Sequence, residues 1–269
     1  MADLLLHSMA EFADIIFPCL MAAKARKVVE IGSENGTMTS KLIAYAAECE
    51  GEFICVDPSP SKEAEQLFEQ HRFAKLVKDL SLNVLPHISA DAYLIDGDHN
   101  YYTVFHELQN CWENVLSEEK HLLVFLHDVA WPCGRRDFYY KPDMVPMPFR
   151  HPHSWDKGVT LNANGLIPGG FRGEGHWAWA TEEGGPRNGV MTAVEDFVKD
   201  KPGRFLWAYI PIIFGLGVLF DSGAPWRDKL SEILAPYHNN ALLARMEENR
   251  LACYLKVIEW QDRHHEKCD

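Results

Sequence analysis

The sequence predicts one α/β domain, a parallel sheet with helices on both faces and one long insertion. Three observations carry this. From residue 28 to residue 128, apolar β-branched runs alternate with stretches of helical periodicity, the pattern of strands joined by crossover helices. Each of these runs ends in a glycine or an acid. The length, 269 residues, suits one large domain or one domain with a sizeable insertion.

The elements follow in order. "MADLLLHSMAEFADIIFPCLMAAKARK" has no basic stretch ahead of its apolar part, so it reads as an amphipathic helix and not a signal peptide. "KVVEIG" is the first strand. "TMTSKLIAYAAECE" is a helix with Thr37 or Thr39 as its cap. "EFICVD" is the second strand and "SKEAEQLFEQH" the next helix. "AKLVKDL" and "SLNVLPHI" form an irregular third unit. "DAYLIDGDH" is a strand ending in acids, "YTVFHELQNCWENVL" a strong amphipathic helix and "HLLVFLHDV" a fifth strand.

Residues 131–190 break the pattern, with ten of the 18 glycines, seven of the 15 prolines and little periodicity. Their tryptophans and histidines argue against disorder, so this stretch is expected to cover a site as a lid or substrate-binding insertion. "GVMTAVEDFVKD" is then a helix. "FLWAYIPIIFGLGVLF" carries Pro211, Gly215 and Gly217; it is two strands and a turn, too short and interrupted to span a bilayer. From Trp226 the chain is helical and broken at Pro236. Its apolar positions Leu242, Leu243, Met246, Leu251, Tyr254, Leu255 and Ile258 pack either on the chain's own core or on a second copy, as a homodimer. The expected division is 1–27 N-terminal helical segment, 28–130 ligand-binding core, 131–190 insertion, 191–225 end of the core sheet and 226–269 helical tail.

Composition narrows the function. A net charge of −13 disfavours nucleic-acid phosphates and anionic membrane surfaces as partners. The seven cysteines are scattered and form no CxxC, so reduced thiols in a cytoplasmic protein are expected, with no disulfide framework or zinc cage.

The loop after the first strand is Gly32-Ser33-Glu34-Asn35-Gly36. Ligands of open α/β sheets bind at the carboxyl ends of the strands, and glycine lets backbone approach them. Asp57 ends the second strand, where a carboxylate can take both hydroxyls of a ribose. The tight GxGxxG turn is missing, and Glu34 within the loop would repel a pyrophosphate. A ribose-bearing ligand without phosphates fits better.

"VVEIGSENGTMTSKL" followed by "FICVDPS" resembles the first two motifs of class I S-adenosylmethionine-dependent methyltransferases. "YLIDGDHNYYTVFHELQNCWENVL" and "LLVFLHDV" resemble the fourth and fifth strands of a small-molecule O-methyltransferase branch, with Ile-Asp-Gly-x-His and His-Asp strand ends. The resemblance covers residues 10 to 130 and, more weakly, "FGLGVLF". It implies a Rossmann-like sheet, mostly parallel with an antiparallel last strand. It also implies that Glu30 and the Gly32–Gly36 loop, Ser33 included, hold the methionine part of the cofactor and Asp57 its ribose. Asp79 and Leu80 would lie near the adenine, and Asp96 would join the cofactor set.

Asp96, Asp98 and His99 end one strand, His127 and Asp128 the next. Two chemistries are open. His99 or His127 can take the acceptor's proton, an imidazole being near neutrality. Alternatively Asp96, His127 and Asp128 hold a divalent cation, Mg²⁺ or Mn²⁺. Related sugar and macrolide O-methyltransferases carry acids at both strand ends and a histidine base three residues after the first acid, which Asp96 and His99 match. His127 departs from the acid expected beside the last Asp, and imidazole is a poor ligand for a hard cation. Asp98 either joins this group or caps the helix that follows.

In the insertion, Arg135 and Arg136 either grip an anionic group of the substrate or pair with Asp137 or Asp143. Gly184, Gly185 and Asn188 allow a close backbone passage or only a tight turn. His176 is a third candidate for acceptor binding or catalysis. Tyr139, Tyr140, Trp155, Trp177 and Trp179 either stack on a sugar or aromatic acceptor or form the insertion's own core. The expectation is a methyltransferase acting on a small-molecule hydroxyl, on a sugar or natural-product scaffold. The alternatives are a metal-dependent oxygenase-like relative on the same fold and a noncatalytic partner subunit.

Overall fold

The computed structural model describes residues 5–265; Cys268 and the outermost parts of the first and last segments lie outside them. The chain runs α1 (Ala13–Ala23), β1 (Lys27–Ile31), α2 (Thr37–Glu48), β2 (Glu52–Val56), α3 (Lys62–Phe68), β3 (Ala74–Val77), α4 (Ser81–Val84), β4 (Ala92–Ile95), α5 (Tyr101–Ser117) and β5 (Leu123–His127). Five short strands follow: β6 (Phe138–Tyr139), β7 (His153–Ser154), β8 (Lys157–Thr160), β9 (Ala163–Pro168) and β10 (Ala178–Ala180). Then come α6 (Val190–Lys199), β11 (Phe205–Ile210), β12 (Leu216–Asp221), α7 (Arg227–Leu234) and α8 (Ala241–His265).

The central sheet has the order β11-β12-β5-β4-β1-β2-β3. The pairings from β3 through β5 are parallel; β12 runs antiparallel to both β5 and β11. This is the Rossmann-like α/β fold, with the last strand of the chain reversed. Side chains alternate across the sheet because successive residues point to opposite faces. Leu123 and Phe125 join one apolar cluster with Ile16, Leu42 and Leu230 of α1, α2 and α7. Val124 and Leu126 join another with Leu85, Leu108, Val194 and Phe197, which brings in α5 and α6. Burial on both faces explains why β4 and β5 read as continuous apolar runs.

Local details differ from the sequence expectation. Helix α2 starts from Gly36 at φ 83° with no side-chain cap. Asn35 accepts the N–H and hydroxyl of Thr37 instead, and Thr39 turns inward to Glu30. The cap of α5 is Asn100, which accepts the N–H of Thr103; Asp98 supports that cap by accepting the Asn100 amide and the Thr103 hydroxyl.

Residues 131–190 are not structureless. They form a three-stranded sheet, β6-β10-β7, and the hairpin β8-β9. Asp137 anchors them, accepting Tyr101 N–H at the start of α5, Gly189 N–H before α6 and the Tyr139 hydroxyl. Gly184 and Gly185 sit at φ 80° and 83° with nothing close, so they make only a tight turn. The close passage is at Gly189, where a Cβ would lie 2.5 Å from the Arg136 nitrogen. The break after α7 falls at Pro236, and the α8 stripe divides: Leu251 is buried while Leu242 and Met246 are exposed. Among the described residues no helix is long and apolar enough to cross a membrane.

Candidate active site

The site is built at the carboxyl ends of β1, β4 and β5, where the strand order reverses between β1 and β4. Gly32 follows β1 at φ 84°, and a Cβ there would lie 2.2 Å from the Asp96 carbonyl oxygen. No other residue type fits. Beneath the loop, Glu30 is buried and accepts the Thr39 hydroxyl at 2.7 Å. Burial pushes its carboxyl up to about 8, so it sits there as a neutral acid at pH 7.

Asp57 closes the other side of the loop. One of its oxygens accepts both the N–H (2.8 Å) and the hydroxyl (2.7 Å) of Ser33, and the other accepts Ser59 N–H. Asp79 accepts Leu80 N–H and the Asn83 amide at the start of α4. These bonds hold its carboxyl below the usual range.

The titratable groups cluster over β4 and β5. The Nε2 of His127 donates to the Ile213 carbonyl at 2.9 Å. Its Nδ1 lies 3.0 Å from Asp96 and 3.2 Å from Asp128. A nitrogen facing two carboxylates must carry a proton, and so must the nitrogen on a carbonyl. His127 is therefore a buried imidazolium. Burial opposes its charge, but the two carboxylates outweigh that and hold its pKa well above the ordinary value. Asp128 is lowered by His99 and His127 despite its burial. Its backbone is left-handed, φ 58°, and its carboxylate meets both His99 and His127.

His99 is different. It lies 3.5 Å from Asp128 through Nε2 and, like His127, borders a cavity of about 390 Å³. One donor atom each from Asp96, His99 and Asp128 lie within 4.8 Å of one another. This donor cluster has His99 where the sequence reading put His127. Asp98 is enclosed behind it, and burial pushes it up to about 6.

Besides the strand-end groups, the cavity is lined by Leu5, His7 and Glu34, by Phe138, Tyr140, Phe171, Trp177 and Trp179, and by Phe214 and Tyr254. Among the described residues lining it, none is Lys or Arg. Arg135 pairs with Glu195 in a two-bond fork, and Arg136 is buried against the carbonyls of Ala180 and Asn164. Asp143 pairs with Arg150. His176 is exposed on a turn away from the lining, and Tyr139 is buried beside Asp137. Cys133 lines the cavity, but burial raises its thiol well above the usual range, so it is no nucleophile at neutral pH. Sequence reasoning missed Leu5, His7, Phe138, Phe171, Phe214 and Tyr254. Phe214 opens the weakly matching "FGLGVLF" stretch and Tyr254 sits in the apolar stripe of the tail, but neither pattern points to a site; the aromatic content near residue 171 was the other available signal.

Residues 29–129 match a family model described as a methyltransferase domain. The match spans β1 to β5 and takes in every strand-end residue described above. No curated protein matches the chain. Among solved structures, the chain is similar to a methyltransferase from Podospora anserina bound to S-adenosylhomocysteine, at 14% identity, covering 77% of this chain and 76% of that one with a TM-score of 0.45. It is similar to a candidate O-methyltransferase from Klebsiella pneumoniae at 12% identity, covering 80% of each chain, TM-score 0.45. It is also similar to the N-methyltransferase NodS from Bradyrhizobium japonicum at 15% identity, covering 43% of this chain and 65% of that one, TM-score 0.35.

Proposed function

We propose that this chain transfers a methyl group from S-adenosylmethionine to a hydroxyl of a small acceptor, one with an aromatic or sugar-bearing body and no anionic group. The observation that carries the reading is the meeting of Glu34 from the glycine loop with Asp96, His99 and Asp128 at one cavity, within a stretch that matches a methyltransferase domain. The cofactor's sulfonium supplies an electrophilic methyl.

The residues fit that cofactor. Gly32 leaves a cradle that a Cβ would fill, and Asp57 retains acceptor capacity for a ribose hydroxyl on the oxygen that takes only Ser59 N–H. His99 removes the acceptor's proton, with Asp128 beside it to stabilise the imidazolium that forms. His127 braces both acids from below. The 131–190 segment excludes water and lays Trp177 and Trp179 against the acceptor. With Glu34, Asp96 and Asp128 in the lining and no Lys or Arg among its described residues, a phosphate or carboxylate on the acceptor would be repelled.

One distance favours a second reading. The Asp96, His99 and Asp128 donors are close enough to share a divalent cation, which would bind acceptor oxygens and lower a hydroxyl's pKa. His99 would then be a ligand and not the base. Calorimetry with S-adenosylhomocysteine tests the cofactor assignment, and absence of binding overturns it. Turnover in EDTA separates the two roles of His99: activity lost to EDTA and restored by Mn²⁺ or Mg²⁺ makes it a ligand, whereas full activity leaves it as the base.

A further inference from the structure

Helix α8 reaches the strand-end cluster through one buried carboxylate. Glu247, 6% exposed, accepts the backbone N–H of Ile213 and of Phe214, each at 2.9 Å and each on a different oxygen. Both residues are left-handed, at φ 51° and 62°, a conformation that a β-branched isoleucine does not choose by itself. Arg250 closes the far side of the carboxylate with two bonds of 2.7 Å, and reaches the Leu6 carbonyl at 2.7 Å. The turn held in this way presents the Ile213 carbonyl to His127 Nε2. The opposite ring nitrogen lies between Asp96 and Asp128.

We propose that Glu247 is a positioning residue for the reaction centre: acting through the Ile213 carbonyl, it fixes the ring of His127 and thereby the placement of the Asp96 and Asp128 carboxylates. The proposal rests on the reading of that cluster as the reaction centre. Glu247 does not line the cavity itself. Phe214, which it also holds, does.

The experiment uses the full chain labelled with ¹⁵N-histidine, observed by NMR at one fixed pH without cofactor. His127→Gln identifies the His127 signals. In the wild type, Nε2 of His127 should carry a proton in slow exchange with solvent. Glu247→Gln replaces one acceptor oxygen by an amide N–H that opposes a backbone N–H, so the turn must shift. The His127 Nε2–H signal should then move or lose protection, and kcat should fall about 10- to 100-fold. Affinity for S-adenosylhomocysteine should stay within about two-fold, the cofactor loop being untouched. Glu259→Ala, on the exposed side of the same helix, should change neither readout.

If Glu247→Gln folds with the His127 signal and kcat unchanged, Glu247 is only a helix anchor and the proposal is overturned. Should that variant fail to fold, Arg250→Gln decides by the same two readouts. Wild-type protein that binds no S-adenosylhomocysteine would remove the methyl-transfer reading, while the NMR signal would still report whether Glu247 governs His127.

Discussion

A histidine can act as a base only if one ring nitrogen offers a lone pair to the substrate. His127 spends both nitrogens inside the protein, on Ile213 and on the two acids. His99 borders the same cavity, and among the described residues its ion-pair contact is with Asp128 alone, through Nε2. His99→Ala should therefore lower kcat by about 10² to 10⁴ and leave affinity for S-adenosylhomocysteine nearly unchanged. Normal turnover would move the base elsewhere. His127→Ala should instead cost stability, because Asp96 and Asp128 would lose the buried cation between them; the loss should be about 3 kcal/mol or more, read by chemical denaturation. Asp57→Ala should weaken S-adenosylhomocysteine binding by about 1.5 to 3 kcal/mol, measured calorimetrically. The sequence made Gly32 and the strand-end acids legible, because a glycine between a strand and a helix has few other uses. It could not separate the two histidines. Their difference lies in the Ile213 carbonyl, which arrives from a turn 86 residues away.

Among the elements, the 131–190 segment is where sequence and structure part most. Strands of two residues, such as β6 and β7, are too short to show a period of two, and their pairings are distant in sequence. What holds the segment is polar and equally silent in the sequence. Asp137 ties the first turns of α5 and α6 together with three accepted bonds, and Arg136 is buried on two carbonyls. Removing Asp137 leaves two enclosed N–H groups without partners, at about 1 to 3 kcal/mol each. Asp137→Ala should thus destabilise the fold by about 2 to 6 kcal/mol, and Asp137→Asn, which keeps one acceptor, by less; urea titration measures both. Near-wild-type stability in Asp137→Ala would mean that the segment is held by its aromatic packing alone. By contrast, β1 to β5 were legible nearly element by element, since continuous apolar runs between helices leave little choice.

Across the whole molecule, buried acids set how stability answers pH. Burial raises Glu30 and Glu107 from an ordinary value of 4.5 to about 8, and Asp98 from 3.8 to about 6. For each of these groups the folded state binds its proton more tightly than the unfolded chain. As pH rises past about 4 the unfolded chain ionises first, so stability falls until the folded values are reached near pH 8. His127 adds the same sign: its raised pKa gives stability that is full below about pH 6.5 and lost as pH climbs through the folded value. Asp91, Glu34 and Asp128 are lowered; their contribution is present above the ordinary carboxylate range and lost only in stronger acid. The two sets bracket a stability maximum at about pH 4, where the unfolded carboxylates begin to ionise. Thermal melts between pH 5 and pH 9 should show Tm falling steadily. Glu107→Gln, away from the cavity, removes one ionisation while keeping the side chain's shape, so it should raise Tm at pH 8, change it little at pH 5 and flatten the slope between them. A Tm that holds constant from pH 5 to pH 9 in the wild type would mean that these acids ionise in place, with water reaching them inside the fold.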